Sequence, residues 1–341
     1  MKKLPIANSP INGYTIHGYP LSIMLNEPES QGWFYSNYIQ LVCNPEFTSN
    51  FFDFKNICSI IEGDAWINWL YPGNPWLKCE SLALYKDYDK KICETIIWAI
   101  QQNDYVVITL DEYYLHNKQN YNVRHNFHEI LCYGFDEAEE IIYTLTYNER
   151  GIFAEVKINY KDIQKSYDYV REACNDKNNR INPIKLLSVN KDFYYPFNAK
   201  LVYDLLIDYM ESKDTVGLTK QVYYNSSNMV YGIETYRLLE KYYLSKRDNY
   251  DIRPIHIIYE HKKCMILRLE YIFELFRDER FKNIAKEYED MQKKCLMAKR
   301  MLVKYMYTLK STNSISILID SIFVKEQRQL ERLIKVLQQY I

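Results

Sequence analysis

Glycine is scarce in this chain, with nine residues in 341. No Gly-rich loop is present of the kind whose backbone N–H groups cradle phosphates, so nucleotide-dependent chemistry is not expected. Net charge is nearly absent as well: 43 Lys and Arg stand against 44 Asp and Glu, for a formal charge of −1. Bulk charge therefore favours neither a nucleic acid nor an anionic membrane as partner. No segment approaches the roughly 20 apolar residues of a membrane-spanning helix, and Met1 to Pro10 contains no apolar signal core. A cytoplasmic location away from membranes is the expectation. Paired cysteines are missing too. The eight cysteines stand singly, without the spacing of a zinc site or a disulfide framework, so reduced thiols are expected, at most one of them reactive. His125, His128 and Cys132 come nearest to a ligand set, but no acidic or second Cys partner stands at diagnostic spacing. Neither a metal nor a bound cofactor is expected.

Tyrosine is abundant, with 34 residues, which together with many Asn, Lys and Ile reflects base composition more than function. Hydrophobic patterning divides the chain in two. Residues 1–192 mix short strands and helices: a helix from about Ile92 to Gln102, a strand Tyr105 to Leu110, a polar connection His116 to Arg124, a strand Phe153 to Tyr160, a helix to Cys174, and a last strand Lys185 to Val189. This predicts an α+β domain whose later half is an antiparallel sheet. Residues 193–341 carry apolar side chains at three and four spacing over Ala199–Met210, Gly232–Leu244, Pro254–Phe276, Phe281–Leu309 and Ser314–Ile341, which predicts a mostly helical domain. Ser212 to Ser227 reads as a loop, and no internal repeat is present.

His128 opens the clearest chemical pattern. It begins the strand His128-Glu129-Ile130-Leu131-Cys132-Tyr133-Gly134-Phe135-Asp136, and Ile141 to Tyr147 follows after the acidic turn Glu137 to Glu140. Such a hairpin brings His128, at the start of one strand, beside Asn148, just past the end of its partner. An imidazole held on one nitrogen by an amide or carboxylate keeps the other free to take a proton. Asp111, at the end of the neighbouring strand, can serve as the orienting group instead of Asn148, or bind a substrate amine.

This stretch resembles the histidine half of the papain-like cysteine proteases. In that family a His begins a strand, a Gly follows six residues on, and an Asn or Asp ends the next strand before a Gly; Gly134, Asn148 and Gly151 stand accordingly here. The segments His17 to Ile23, Trp33 to Leu41 and Asp251 to His256 are similar to bacterial proteins encoded beside nonribosomal-peptide gene sets. The papain-like group in biosynthesis includes the acyltransferase of butirosin assembly and the amide-forming enzyme of closthioamide assembly. The resemblance implies a papain-like domain with an N-terminal catalytic helix. It also implies an acyltransferase that forms amide bonds between an amine and an acyl group, delivered as a thioester on the phosphopantetheine arm of an acyl or peptidyl carrier protein.

A papain-like site implies a nucleophile at a helix N-terminus, where the dipole and free N–H groups lower its pKa. The expected helix is Tyr35 to Cys43. Gln31-Gly32 matches the family's oxyanion pair, but the residue six after Gln31 is Asn37, so three alternatives stand. Ser36 takes the acyl group, with Gln31 or backbone N–H groups, near Asn37, holding the oxyanion; Cys43 takes it; or no residue does, and His128 acts directly on the amine. Structurally, Ser36 reads as a helix N-cap and Cys43 as a small core hydrophobe. Cys264, among cationic neighbours, ranks next, ahead of Cys58, Cys79, Cys93, Cys132, Cys174 and Cys295. Lys293, Lys294, Lys299, Arg300 and Lys304 lie on one helix stretch with no acidic residue among them, and can dock an acidic carrier. A peptidase of the same fold and a catalytically silent binding protein are the alternatives.

Overall fold

The computed structural model describes residues 1–48, 51–55, 74–82, 91–175, 184–215, 228–245, 250–308 and 312–341. Residues 216–227 of the expected loop, Cys58 and Ser311 lie outside them. In chain order the first elements are β1 (Lys2–Lys3), α1 (Thr15–Met24), α2 (Ser30–Ser36), β2 (Gln40–Cys43) and β3 (Phe52–Lys55). Next come β4 (Leu77–Leu82), α3 (Ile92–Gln101), β5 (Tyr105–Asp111), β6 (Phe127–Asp136), β7 (Ile141–Tyr147), β8 (Phe153–Asn159), α4 (Tyr160–Asn175) and β9 (Ile184–Val189). The C-terminal elements are α5 (Ala199–Met210), β10 (Val230–Tyr231), α6 (Thr235–Leu244), α7 (Arg253–Phe276), α8 (Glu279–Thr308) and α9 (Asn313–Leu337). The protein is thus a mixed α/β chain with antiparallel sheets and a helical C-terminal region. Among the described residues no helix is long and apolar enough to cross a membrane.

Two compact units divide these elements. One comprises Met1–Glu27 and Gly63–Phe193, the other Pro28–Glu62 and Tyr194–Ile341. The boundary expected after residue 192 lies next to the one between Phe193 and Tyr194, while the described residues of 28–55 group with the C-terminal helices. In the first unit the sheet runs β4-β9-β5-β6-β7-β8, with β1 added to β6, and every pairing is antiparallel. Its strands are rich in β-branched and aromatic side chains that suit a pleated, buried surface, and Val106, Ile108, Leu110, Ile130 and Cys132 have essentially no exposure. Gly134 has a steric reason to be glycine: a Cβ there would lie 2.8 Å from the Lys2 carbonyl oxygen, where β1 joins β6.

The second unit holds the small sheet β10-β2-β3 with α2 and α5 to α9. Asn198 caps α5 by accepting from the Leu201 N–H at 2.9 Å, and Pro254 sits in the first turn of α7, where its missing N–H costs nothing. The expected helix over 35–43 does not form. Helix α2 stops at Ser36, Tyr38 takes a left-handed φ of 54°, and Gln40–Cys43 becomes a strand paired on both sides. The cause lies far away in sequence. Arg268 of α7, fully buried, donates from Nε to the Tyr35 carbonyl at 2.8 Å and from Nη2 to the carbonyls of Asn37 and of Tyr38, the latter at 3.1 Å. His261 of the same helix lies 2.8 Å from the Ile39 carbonyl through Nε2. Carbonyls that a continuing helix would use internally are taken by these side chains.

Replacing Arg268 with Met leaves those acceptors without donors, at about 1–3 kcal/mol for each buried group. Urea unfolding of Arg268→Met should show a loss of about 3 kcal/mol or more; an unchanged midpoint would refute this role.

Candidate active site

Local geometry at the end of β5 builds a closely hydrogen-bonded polar constellation in the first unit. Register pairs Asp111 with Phe127 and Leu110 with His128, so the residues just before β6 arrive beside the last residue of β5. Asp111 is wholly buried. Its Oδ1 accepts from the backbone N–H of Asn126 at 2.9 Å and of Tyr113 at 3.1 Å, and its Oδ2 lies 2.5 Å from His125 Nδ1. The Ser166 hydroxyl of α4 clamps the same residue's main chain, accepting from its N–H at 2.7 Å and donating to its carbonyl at 3.0 Å. A carboxylate so enclosed must be met by hydrogen bonds, and here it is.

His125 is held as firmly on its ring faces. Tyr169 stacks on it with centroids 4.3 Å apart and planes 10° from parallel, and Tyr113 stacks at 4.5 Å and 27°. Its side chain is nevertheless 43 % exposed. In the neutral tautomer that donates Nδ1–H to Asp111 the lone pair is on Nε2, which no hydrogen bond engages among the described residues. Chemically this is an oriented base: the buried carboxylate fixes tautomer and ring, and stabilises the imidazolium once a proton arrives. A second pair, His116 Nδ1 to Asp162 Oδ2 at 3.0 Å, is looser, with its carboxylate 27 % exposed.

His128 has a different environment. Its ring meets that of Tyr147 edge-on at 5.8 Å, and its Nδ1 is buried without a hydrogen-bond partner. Burial first, and then the nearby Lys118 ammonium, hold its pKa below the usual histidine value. Lys118 is itself buried, donating to the Thr146 hydroxyl at 2.7 Å and the Tyr147 carbonyl at 2.6 Å, and pairing with Glu112 at 3.0 Å. Asn120 and Asn126 complete the Glu112 carboxylate at 2.5 and 2.8 Å. Burial alone would raise the Glu112 pKa, but Lys118 and these amides hold it low.

Neither partner expected for His128 is aligned on it. Asp111 is committed to His125, and the Asn148 Oδ1 accepts from the N–H groups of Arg150 at 2.9 Å and Ile152 at 3.0 Å, closing the turn in which Gly151 takes a φ of 68°. The Asn148 to Gly151 spacing thus has a local reason in turn geometry.

The nucleophile candidates are likewise placed against reaction. Ser36 is the last residue of α2 and not its first; its hydroxyl donates to the Gly32 carbonyl at 2.7 Å and accepts from the Asn198 N–H at 2.9 Å. Cys43 lies in β2, where burial pushes its thiol up to about 12. Cys93, Cys264 and Cys295 are pushed up to about 12 as well, and Cys79 and Cys132 are also raised, by burial in each case. Cationic neighbours do not rescue Cys264. Gln31 is exposed in the first turn of α2, while Gly32 is glycine because a Cβ would fall 2.8 Å from the Phe197 nitrogen and the Tyr195 carbonyl oxygen. The Asn37 amide is spent on the Trp33 carbonyl at 2.8 Å. On α8, Lys293, Arg300 and Lys304 are exposed and Lys294 half-buried, but Lys299 is turned to His256, 3.1 Å from its Nδ1. Among the described residues no group of three His, Cys, Asp or Glu is arranged to hold a metal ion.

The His125–Asp111 pair was hidden in the sequence because it depends on strand register. Both residues were visible, Asp111 at a strand end and His125 three before His128, but only the Asp111–Phe127 pairing brings them together. No family model matches the chain, and a search of curated proteins gives no match.

A histidine whose folded-state pKa is depressed binds a proton more readily when unfolded. Its stabilising contribution is present above the unfolded value of 6.5 and lost as pH falls below it toward the lower folded-state pKa. Unfolding free energy should therefore drop on acidification below pH 6.5, and His128→Leu should flatten the slope by up to about 1.4 kcal/mol per pH unit. An identical slope in the variant, followed by denaturant unfolding between pH 7 and 5, would refute the assignment.

Proposed function

We propose that this protein is an acyltransferase in which His125, held by Asp111, is the general base that activates an amine for attack on a thioester. The observation that carries it is the 2.5 Å contact between His125 Nδ1 and a carboxylate with no solvent exposure, on a ring that is itself 43 % exposed. The donor class follows from the resemblance to papain-like biosynthetic enzymes: an acyl group on the phosphopantetheine arm of a carrier protein. A helix, α1, preceding an antiparallel sheet that contains the histidine-bearing hairpin is compatible with a papain-like arrangement. The departure from that family is the nucleophile. The described thiols are raised by burial and Ser36 is bonded on both sides, which supports direct attack in place of an acyl-enzyme.

In the proposed step the amine nitrogen attacks the thioester carbonyl while Nε2 takes its proton, and the imidazolium is stabilised by Asp111. Collapse of the tetrahedral intermediate breaks the C–S bond, and the same proton passes from Nε2 to the departing thiolate. The thioester is already activated, so no nucleotide is consumed. The exposed Lys293, Arg300 and Lys304 are the charges proposed to steer an acidic carrier, and such an effect should weaken with salt.

A positioned general base contributes about 10²–10⁴-fold. With an acyl-pantetheine thioester and a panel of amines, His125→Ala should lower amide formation by about that factor and Asp111→Asn by a large part of it, whereas His128→Leu should leave it within a few-fold. Peptide mass mapping during turnover should show no acyl adduct on Ser36 or on any cysteine. Water-dependent cleavage of peptides without a carrier would favour a peptidase, and full carrier binding with no turnover a binding protein; an adduct mapped to Ser36 or Cys43 would overturn direct attack.

A further inference from the structure

In the second unit the buried and half-buried lysines are paired in different ways. Lys325 sits directly on the carboxylates of Glu287 and Asp290, at 2.8 and 2.7 Å, which hold its proton in place. Lys262 faces Glu326 and lies 3.0 Å from His261 Nδ1, in a site without solvent access. Lys299 instead reaches from α8 to α7 and lies 3.1 Å from His256 Nδ1, while His256 Nε2 lies 3.2 Å from Glu260 Oε1 one turn along the same helix. Glu260 is only 2 % exposed at its side chain, and the His256 ring, 19 % exposed, stacks parallel to Tyr259 at 5.9 Å. The result is a carboxylate, an imidazole and an amine in series, with Lys299 itself half-buried.

The order of the three groups matters. His256 stands between the Lys299 amine and the buried Glu260 carboxylate, with one ring nitrogen toward each. A proton passed from the Lys299 ammonium to His256 Nδ1 stays beside that carboxylate and leaves a neutral amine. An ordinary lysine, with a pKa of about 10.4, is neutral in roughly one molecule in a thousand at pH 7.4. Burial lowers the Lys299 pKa, while Glu260 partly opposes this. Burial thus works against the charged form of an amine that already faces an imidazole nitrogen.

We propose that Lys299 is a nucleophilic lysine that takes acyl groups from thioesters onto its ε-amine, with His256 as proton acceptor and Glu260 as the group that holds the imidazole. The ammonium proton leaves by way of His256 to water; the neutral amine nitrogen then attacks the thioester carbonyl and forms the amide C–N bond, passing one more proton to His256, and as the C–S bond breaks that proton passes to the departing thiolate. Acylation removes the charge of Lys299 and its contact to His256, so Lys299 is also a modification site. The site is independent of the His125–Asp111 base, since Lys299 is the acceptor and no amine substrate is needed.

Limiting S-acetyl-N-acetylcysteamine at pH 7.5, with acetylation of each lysine mapped by peptide mass spectrometry over time, tests this directly. Lys299 should acetylate at least tenfold faster than the exposed Lys293 and Lys304 of the same helix. In His256→Phe the Lys299 rate should fall at least tenfold while those of Lys293 and Lys304 hold, which also reports that α8 is intact. A Lys299 rate no greater than that of Lys293 and Lys304 overturns the proposal, as does a Lys299 rate indifferent to His256→Phe. If the variant does not fold, the comparison within the wild-type chain decides alone.

Discussion

Asp111 is a carboxylate with no access to water, and the local structure of the first unit is arranged to satisfy it. Main-chain N–H groups from Tyr113 and Asn126, the His125 ring and the Ser166 hydroxyl all converge on this residue. They come from three pieces of chain: the turn after β5, the segment entering β6, and α4. A buried charge costs several kcal/mol unless it is met on all sides. The same requirement that locks this junction also aims one imidazole, so a structural constraint and an orientation useful for catalysis share a cause.

The neighbouring Lys118–Glu112 pair obeys the same rule with a different outcome. Thr146, the Tyr147 carbonyl and two asparagine amides complete its hydrogen bonds, and the cluster is sealed. His128 lies beside it, kept neutral by burial and by the Lys118 charge. Two histidines three residues apart on one chain segment therefore differ sharply: one is partly exposed and oriented by a carboxylate, the other has a dry, unpartnered Nδ1.

Much of the architecture was legible from periodicity. The hairpin β6–β7, the strand β5, the helices α3 and α4 and the long C-terminal helices fall within a few residues of where alternation and three-four spacing put them, because each carries one strong apolar face. The segment from Tyr35 to Cys43 was misread for an equally physical reason. Its apolar residues suit a helix, yet Arg268 and His261, more than two hundred residues away, take its carbonyls and turn it into a strand. That shift moved Ser36 from a helix start to a helix end and put Cys43 in a buried strand. The chemical pattern was legible only in part: residue types near His128 stood out, but strand register decided that Asp111 meets His125.

The central claim, that His125 supplies the base for acyl transfer, is tested most directly by chemical rescue. A His125→Gly protein should lose most of its amide-forming activity on a thioester and an amine, and added imidazole should restore it in proportion to the neutral imidazole present. A His125→Gly protein as active as the wild type, with or without imidazole, would contradict the account.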